Sequence, residues 1–269
     1  MQAIDLEKKA NWVRQQVLRI TFETGKGHIG GTFSCTDILV ALYYGGILRV
    51  DPKRPRWTDR DRLVVGKGHA CLALYNILVD LGFFDESRLQ EYGSDGSSLS
   101  GQLTLDTPGV EYNSGSLGHA IGVGAGMALA AKMDNRDYRV FALVGDGECD
   151  EGSIWESAMF AHQHELNNLI GIVDRNRGSV TASIDPESAM LEQRFAACGW
   201  RVDVIDGHSF DEILTAFGDL EKLDKPLIVI ADTVKGKGIS FMEDGVKWHQ
   251  SVPTKEEYER AMKELMYGN

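Results

Sequence analysis

Two apolar runs do most to limit what this 269-residue chain can fold into. Val140-Phe141-Ala142-Leu143-Val144 runs into Gly145-Asp146-Gly147-Glu148, and Leu169-Ile170-Gly171-Ile172-Val173 runs into Asp174-Arg175-Asn176. Unbroken apolar runs of this length lack the alternation of a half-exposed strand and suit strands buried on both faces. A helix-like stretch at 151–165 separates them. The same alternation continues along the chain. Strands are predicted at 62–65, 139–144, 169–174, 200–205 and 226–232, with helices at 117–132, 151–165, 187–198 and 209–220. The pattern predicts an α/β fold: a doubly wound, mainly parallel sheet with helices on both faces.

The remaining segments fill in this frame. Residues 4–22 read as an amphipathic helix with Ile4, Trp12, Val17, Leu18 and Phe22 as apolar candidates. A Gly-rich loop, 25–31, follows, and then a helix capped by Ser34 or Thr36 and running through Asp37 to Tyr44. Gly66-Lys67-Gly68-His69 opens a helix reaching Leu81. Residues 93–116 read as a long functional loop, and the Ala/Gly-rich helix after it can pack closely. Residues 254–267 read as a charged surface helix. With no repeat and no low-complexity linker, a single domain over 1–269 is the simplest expectation.

Composition excludes several classes of function. The net charge is −12 and no long basic run occurs, so neither nucleic acid nor an anionic membrane is an expected partner. No apolar run approaches the ~20 residues needed to cross a bilayer. The amino terminus lacks a signal-peptide apolar region. Cys35, Cys71, Cys149 and Cys198 have neither metal-like nor disulfide-like spacing and read as buried thiols. The expected compartment is the cytoplasm.

The loops after the two strands carry the chemistry. Magnesium takes about six oxygen ligands, usually only a few from protein. Asp146 offers a carboxylate and Asn176 an amide oxygen, from adjacent loops at strand carboxyl ends. Gly145 and Gly147 let the backbone approach a diphosphate, and the helix beginning near Glu151 can point its amino terminus there. Histidines at Gly27-His28, Gly68-His69 and Trp248-His249 sit in polar loops, where they could exchange protons with hydroxyl and carbonyl oxygens. Two further glycine patterns read as structural. Gly122-Val123-Gly124-Ala125-Gly126 does not follow a clear strand, and Lys235-Gly236-Lys237-Gly238 lacks P-loop spacing.

Taken in order, Lys26-Gly27-His28-Ile29-Gly30-Gly31, Gly66-Lys67-Gly68-His69-Ala70, Thr107-Pro108-Gly109-Val110-Glu111, Gly115-Ser116-Leu117-Gly118, the Gly-Asp-Gly to Asn176 segment, and Thr233-Val234-Lys235-Gly236-Lys237-Gly238 through His249 resemble transketolase, in its amino-terminal, diphosphate-binding domain. The resemblance implies thiamine diphosphate with magnesium, or calcium or manganese in its place. It implies Asp146, Asn176 and the Gly178 carbonyl as metal ligands. His69, Gly115, Ser116, Leu117, Gly145, Gly147, Glu148 and His249 become cofactor-binding residues. His28 and His249 would face the reacting substrate oxygens. Glu151 matches an acidic residue of a hydrogen-bonded network across the subunit interface, while a carboxylate at a helix start also suits the helix dipole.

The residues that activate the aminopyrimidine and grip a sugar phosphate lie, in the family, in a second domain. The implied enzyme is therefore split. A separate carboxy-terminal subunit would supply the pyrimidine domain, as α2β2, and the pair would move a two-carbon ketol unit from a ketose to an aldehyde acceptor. The cofactor carries the electrons, while the protein orients, desolvates and moves protons. Three departures bear on substrate. Gly101-Gln102-Leu103 stands where the family has Gly-His-Pro, His119 follows Leu117-Gly118, and Arg177-Gly178-Ser179 follows Asn176. They point to a specialised sugar. Two other readings are the α subunit of a thiamine-dependent 2-oxo acid dehydrogenase or decarboxylase, and a non-catalytic scaffold of the same fold.

Overall fold

A computed structural model describes residues 5–177, 190–243 and 246–267. Three helices come first: α1 (Leu6–Thr24), α2 (Ile29–Ser34) and α3 (Thr36–Tyr44). They are followed by β1 (Arg62–Val65), α4 (Cys71–Leu81), α5 (Ala120–Met133), β2 (Val140–Gly145), α6 (Gly152–Gln163) and β3 (Leu169–Arg175). Then come α7 (Leu191–Ala197), β4 (Arg201–Asp206), α8 (Phe210–Ala216), β5 (Leu227–Asp232) and α9 (Lys255–Tyr267). The strands form one parallel sheet in the order β1-β2-β3-β5-β4.

The period-two alternation of side chains divides the core in two. Phe141, Leu143, Ile170, Ile172, Leu227 and Val229 face one cluster, closed by α1, α3, α4 and α8. Val140, Ala142, Val144, Leu169, Val173, Ile228 and Ile230 face the other, closed by α5, α6 and α7. The doubly wound expectation therefore holds. Strands advance from β1 to β4 with α5, α6 and α7 on one face. The return from β4 to β5 runs through α8 on the opposite face, as right-handed crossovers require.

Small residues set the spacing of these layers. A Cβ on Gly124 of α5 would lie 3.1 Å from Leu169 Cδ1, and one on Gly171 of β3 would lie 2.4 Å from Ile228 Cδ1. The Gly122–Gly126 segment is thus helix packing. The charged helix α9 buries Ala261 and Leu265, and its Tyr258 stacks on Phe22 of α1 with ring centroids 4.3 Å apart.

Several boundaries differ from expectation. Gly30 and Gly31 belong to α2 rather than to a loop, because α2 starts at once after His28. Neither Ser34 nor Thr36 caps α3. Cys35 holds the cap position without a side-chain bond, while Ser34 Oγ donates to Asp174, 2.6 Å away. The helix expected over 209–220 ends at Ala216, with a separate 3-10 turn at Leu220–Lys222. Its Ser209 cap does form, accepting from the Glu212 N–H. Ile4 and the start of the helix expected from 187 lie outside the described residues. Cys35, Cys71 and Cys149 are buried as expected, whereas Cys198 is half-exposed.

Candidate active site

Four strands deliver polar loops to one edge of the sheet: Gly66–His69 after β1, Gly145–Glu148 after β2, Asn176 after β3 and Thr233–Lys235 after β5. The crevice outside strand carboxyl ends is the ordinary ligand site of an open α/β sheet.

Asp146 and Asn176 lie on adjacent strand ends, since Gly145 is in register with Asp174. The Asp146 carboxylate accepts from Gly147 N at 2.8 Å and from Arg177 N at 2.6 Å, which clamps the two loops together. Burial, with the Asp174 charge, holds its carboxyl above the ordinary range, a cost that a cation would offset. Asn176 Nδ2 donates to Asp174 Oδ2 (3.1 Å) and to Ser34 Oγ (3.3 Å), which turns its amide oxygen away from them. Gly178 lies outside the described residues.

Behind Asn176 is a buried ion pair. Lys67 and Asp174, 2% and 0% exposed, meet directly, and Thr233 Oγ1 also donates to Asp174. Burial opposes both charges, yet the pairing outweighs it, holding Lys67 above and Asp174 below their ordinary values. Four segments far apart in the chain are thereby tied beneath the crevice. Nothing in the spacing announced this pair, which joins residues 107 positions apart. The only sequence signal was that each belonged to a motif at a strand end.

The three predicted histidines form a triangle. Ring centroids are 5.5 Å apart for His28–His69, 5.9 Å for His28–His249 and 5.6 Å for His69–His249. Burial, helped by Lys67 and the neighbouring rings, pushes His69 down to about 3. Burial and Lys235 push His249 down to about 4, and burial lowers His28 as well. All three are neutral at pH 7, able to donate from one ring nitrogen and accept at the other. Lys235 Nζ, unassigned from the sequence, lies 3.1 Å from His249 Nδ1. His28 Nδ1 is buried with no hydrogen-bond partner among the described residues.

The 93–116 loop carries no regular element and is tied internally, as where Thr104 and Thr107 hydroxyls both donate to the Ser98 carbonyl. Glu111 anchors it to Arg60. It brings Ser114 and Gln102 against Gly68, where a Cβ would fall 1.8 Å from Ser114 Oγ and 2.4 Å from Gln102 Oε1. Gln102 Oε1 is buried without a partner among the described residues. Gly115, Ser116 and Leu117 are exposed beside this point.

Glu148 is buried, accepting from Gly118 N (3.0 Å) and Gly145 N (3.2 Å), and burial pushes its carboxyl up to about 7. A Cβ on Gly66 would collide with it. Glu151 stands exposed at the amino-terminal cap of α6 and makes no side-chain capping bond.

Comparisons with known proteins agree with this geometry. The family described as transketolase, thiamine diphosphate binding domain, matches residues 6–268. One of the two chains of an apulose-4-phosphate transketolase from Phocaeicola vulgatus is 42% identical, covering 98% of this chain and 95% of that protein. A 6-deoxy-6-sulfo-D-fructose transketolase subunit from a Clostridium species is 39% identical, covering 98% and 97%. The crystal structure of transketolase from Campylobacter jejuni superposes with a TM-score of 0.91 at 32% identity, over 97% of this chain but 42% of that one.

Proposed function

We infer, from the premise that this chain belongs to the transketolase family, that it is the thiamine diphosphate-binding subunit of a two-chain transketolase. The single observation that carries the reading is the convergence of the Asp146–Asn176 pair and the three-histidine triangle on one edge of the sheet. A scaffold that had lost its chemistry would have no reason to hold three neutral imidazoles and an uncompensated carboxylate together.

The residues present fit the cofactor and a divalent metal. Asp146 and Asn176 offer two oxygen ligands from loops held in register, as magnesium prefers, and Gly178 is proposed to add its carbonyl. His69, Gly115, Ser116, Leu117, Gly145, Gly147, Glu148 and His249 would surround the bound cofactor. Thiamine diphosphate, when bound, supplies the electron sink for cleaving and forming a carbon–carbon bond. The chain itself positions, excludes water and handles protons. His28 and His249, neutral at working pH, would donate to a carbonyl oxygen as charge develops and accept from a hydroxyl as it leaves. His28 Nδ1, buried without a partner among the described residues, is the atom best placed to gain a bond from substrate.

Relatives of the same length are named as transketolase subunits, which supports a separate partner carrying the pyrimidine domain, assembled as α2β2. Exposed Leu117, Met159 and Phe160, with Glu151 between them in sequence, offer a surface for it. The whole chain would form one domain. No described helix is long and apolar enough to cross a membrane, and the cytoplasm is the proposed compartment. The donor is proposed to be a specialised ketose, as the relatives' names and the Gln102, His119 and Arg177–Gly178 departures suggest.

The test is reconstitution. This chain, mixed with the partner encoded beside it, should bind thiamine diphosphate calorimetrically only with a divalent metal, and should then transfer a ketol unit. Metal-independent binding would overturn the site assignment, and turnover by this chain alone would overturn the split.

A further inference from the structure

A second polar cluster lies outside the crevice and ends on it. Arg14 of α1 is buried and grips Asp37 of α3 with both nitrogens, Nη1–Oδ1 at 2.9 Å and Nη2–Oδ2 at 2.6 Å. Arg14 Nη2 also donates to the Phe33 carbonyl at 3.0 Å, at the end of α2. Asp37 Oδ2 meets His208 Nδ1 at 2.6 Å. His208 Nε2 then accepts from the backbone N–H of Val234 at 2.8 Å. Val234 precedes Lys235, whose Nζ lies 3.1 Å from His249 Nδ1.

The chain of donors fixes one tautomer. An amide N–H can only donate, so His208 Nε2 has to carry a lone pair, and the proton of the neutral ring sits on Nδ1. Burial alone would raise the Asp37 carboxyl, but Arg14 and His208 hold it below its ordinary value, so it stays an acceptor for that Nδ1 proton. The charged groups facing His208 are Asp37 and, behind it, Arg14, while Asp206 Oδ1 takes the His208 backbone N–H at 2.8 Å. Close backbone approach completes the arrangement. Gly207 N donates to the Asp232 carbonyl at 2.8 Å, and a Cβ on Gly207 would lie 2.5 Å from Thr233 Cγ2.

We propose that His208, held as its Nδ1–H tautomer by the Arg14–Asp37 pair, is a positioning residue that fixes the Val234–Lys235 peptide and through it places Lys235 against His249. Two of the outermost layers of the fold, α1 and α3, thereby set the geometry of a side chain in the crevice. The link to turnover rests on the role proposed above for His249. The structural link does not.

Two substitutions separate position from mere stability. In His208→Asn the amide can still donate to Asp37 but leaves no acceptor for Val234. In His208→Gln the amide oxygen can reach the Nε2 position. In the assembled two-chain enzyme, His208→Asn should speed hydrogen exchange of the 233–236 peptide roughly tenfold. It should lower kcat roughly tenfold with a smaller change in donor KM, and His208→Gln should recover most of both. Unchanged exchange in His208→Asn, or equal loss in the two variants, would overturn the proposal. If either variant does not assemble, the wild-type ring decides it. A 15N-histidine spectrum should show the Nδ1–H tautomer for His208, and an Nε2–H signal would refute the assignment. A wild-type complex without ketol transfer would sink the functional reading, leaving exchange and tautomer to decide this one.

Discussion

At the scale of single residues, the site depends on how buried charges are matched. Lys67 and Asp174 are each almost fully buried, so removing one strands the other. Lys67→Met should cost ~3–5 kcal/mol in denaturant unfolding of the purified chain. The histidines make a second prediction, in pH. In an unfolded chain an imidazole takes a proton near pH ~6.5, whereas His69 and His249 in the fold do so only at about 3 and about 4. Below the unfolded value the unfolded chain binds more protons. The stability from these two neutral rings is therefore complete above ~6.5 and is lost as pH falls toward 4. Thermal melts should drop between about pH 7 and pH 5, and the drop should shrink in His69→Asn. Gln102 carries the third prediction. Its Oε1 is buried without a partner among the described residues, where the family has a hydroxyl-binding histidine. Gln102→His should shift donor preference toward xylulose 5-phosphate by roughly tenfold in kcat/KM, the size of one hydrogen bond. No shift would remove Gln102 from the specificity determinants.

At the scale of elements, glycine decides how closely layers meet. Gly171 in the middle of β3 faces Trp200 and Ile228 across the sheet, with no room for a side chain. Gly171→Val should destabilise by ~1–3 kcal/mol through overpacking, and should move the emission of nearby Trp200. Helix ends tell a related story. Local chemistry correctly placed Ser209 as the cap of α8, because cap and recipient lie three residues apart. The same chemistry misplaced Ser34, which is drawn instead to Asp174, 140 residues away. A residue three positions away can be read from the sequence, whereas a stronger buried partner across the fold cannot.

At the scale of the whole molecule, the chain presents half of a reaction site. The crevice gathers ligands from four strand ends, and apolar Leu117, Met159 and Phe160 are left in solvent. Docking of the partner chain should bury them. Met159→Glu together with Phe160→Glu should weaken association at least tenfold, read as a concentration-dependent loss of activity and of α2β2 mass in sedimentation. Hot-spot apolar side chains each contribute on the order of 1–2 kcal/mol or more at such contacts, so an unaltered assembly would place the interface elsewhere.

The sequence by itself determined the sheet, its parallel sense and the two strand ends that carry Asp146 and Asn176. Those follow from periodicity and from loops whose residues are near neighbours in the chain. It also named the three histidines, because each sits in a short polar motif. It did not reveal that they would form a triangle with sides of about 5.5–5.9 Å. Nor did it reveal that Lys67 would neutralise Asp174, or that Arg14 and Asp37 would reach the crevice through His208. Only the tertiary structure decided these. A buried charge has to find its partner in three dimensions, and the desolvation penalty that enforces the pairing exists only once the chain has closed around it.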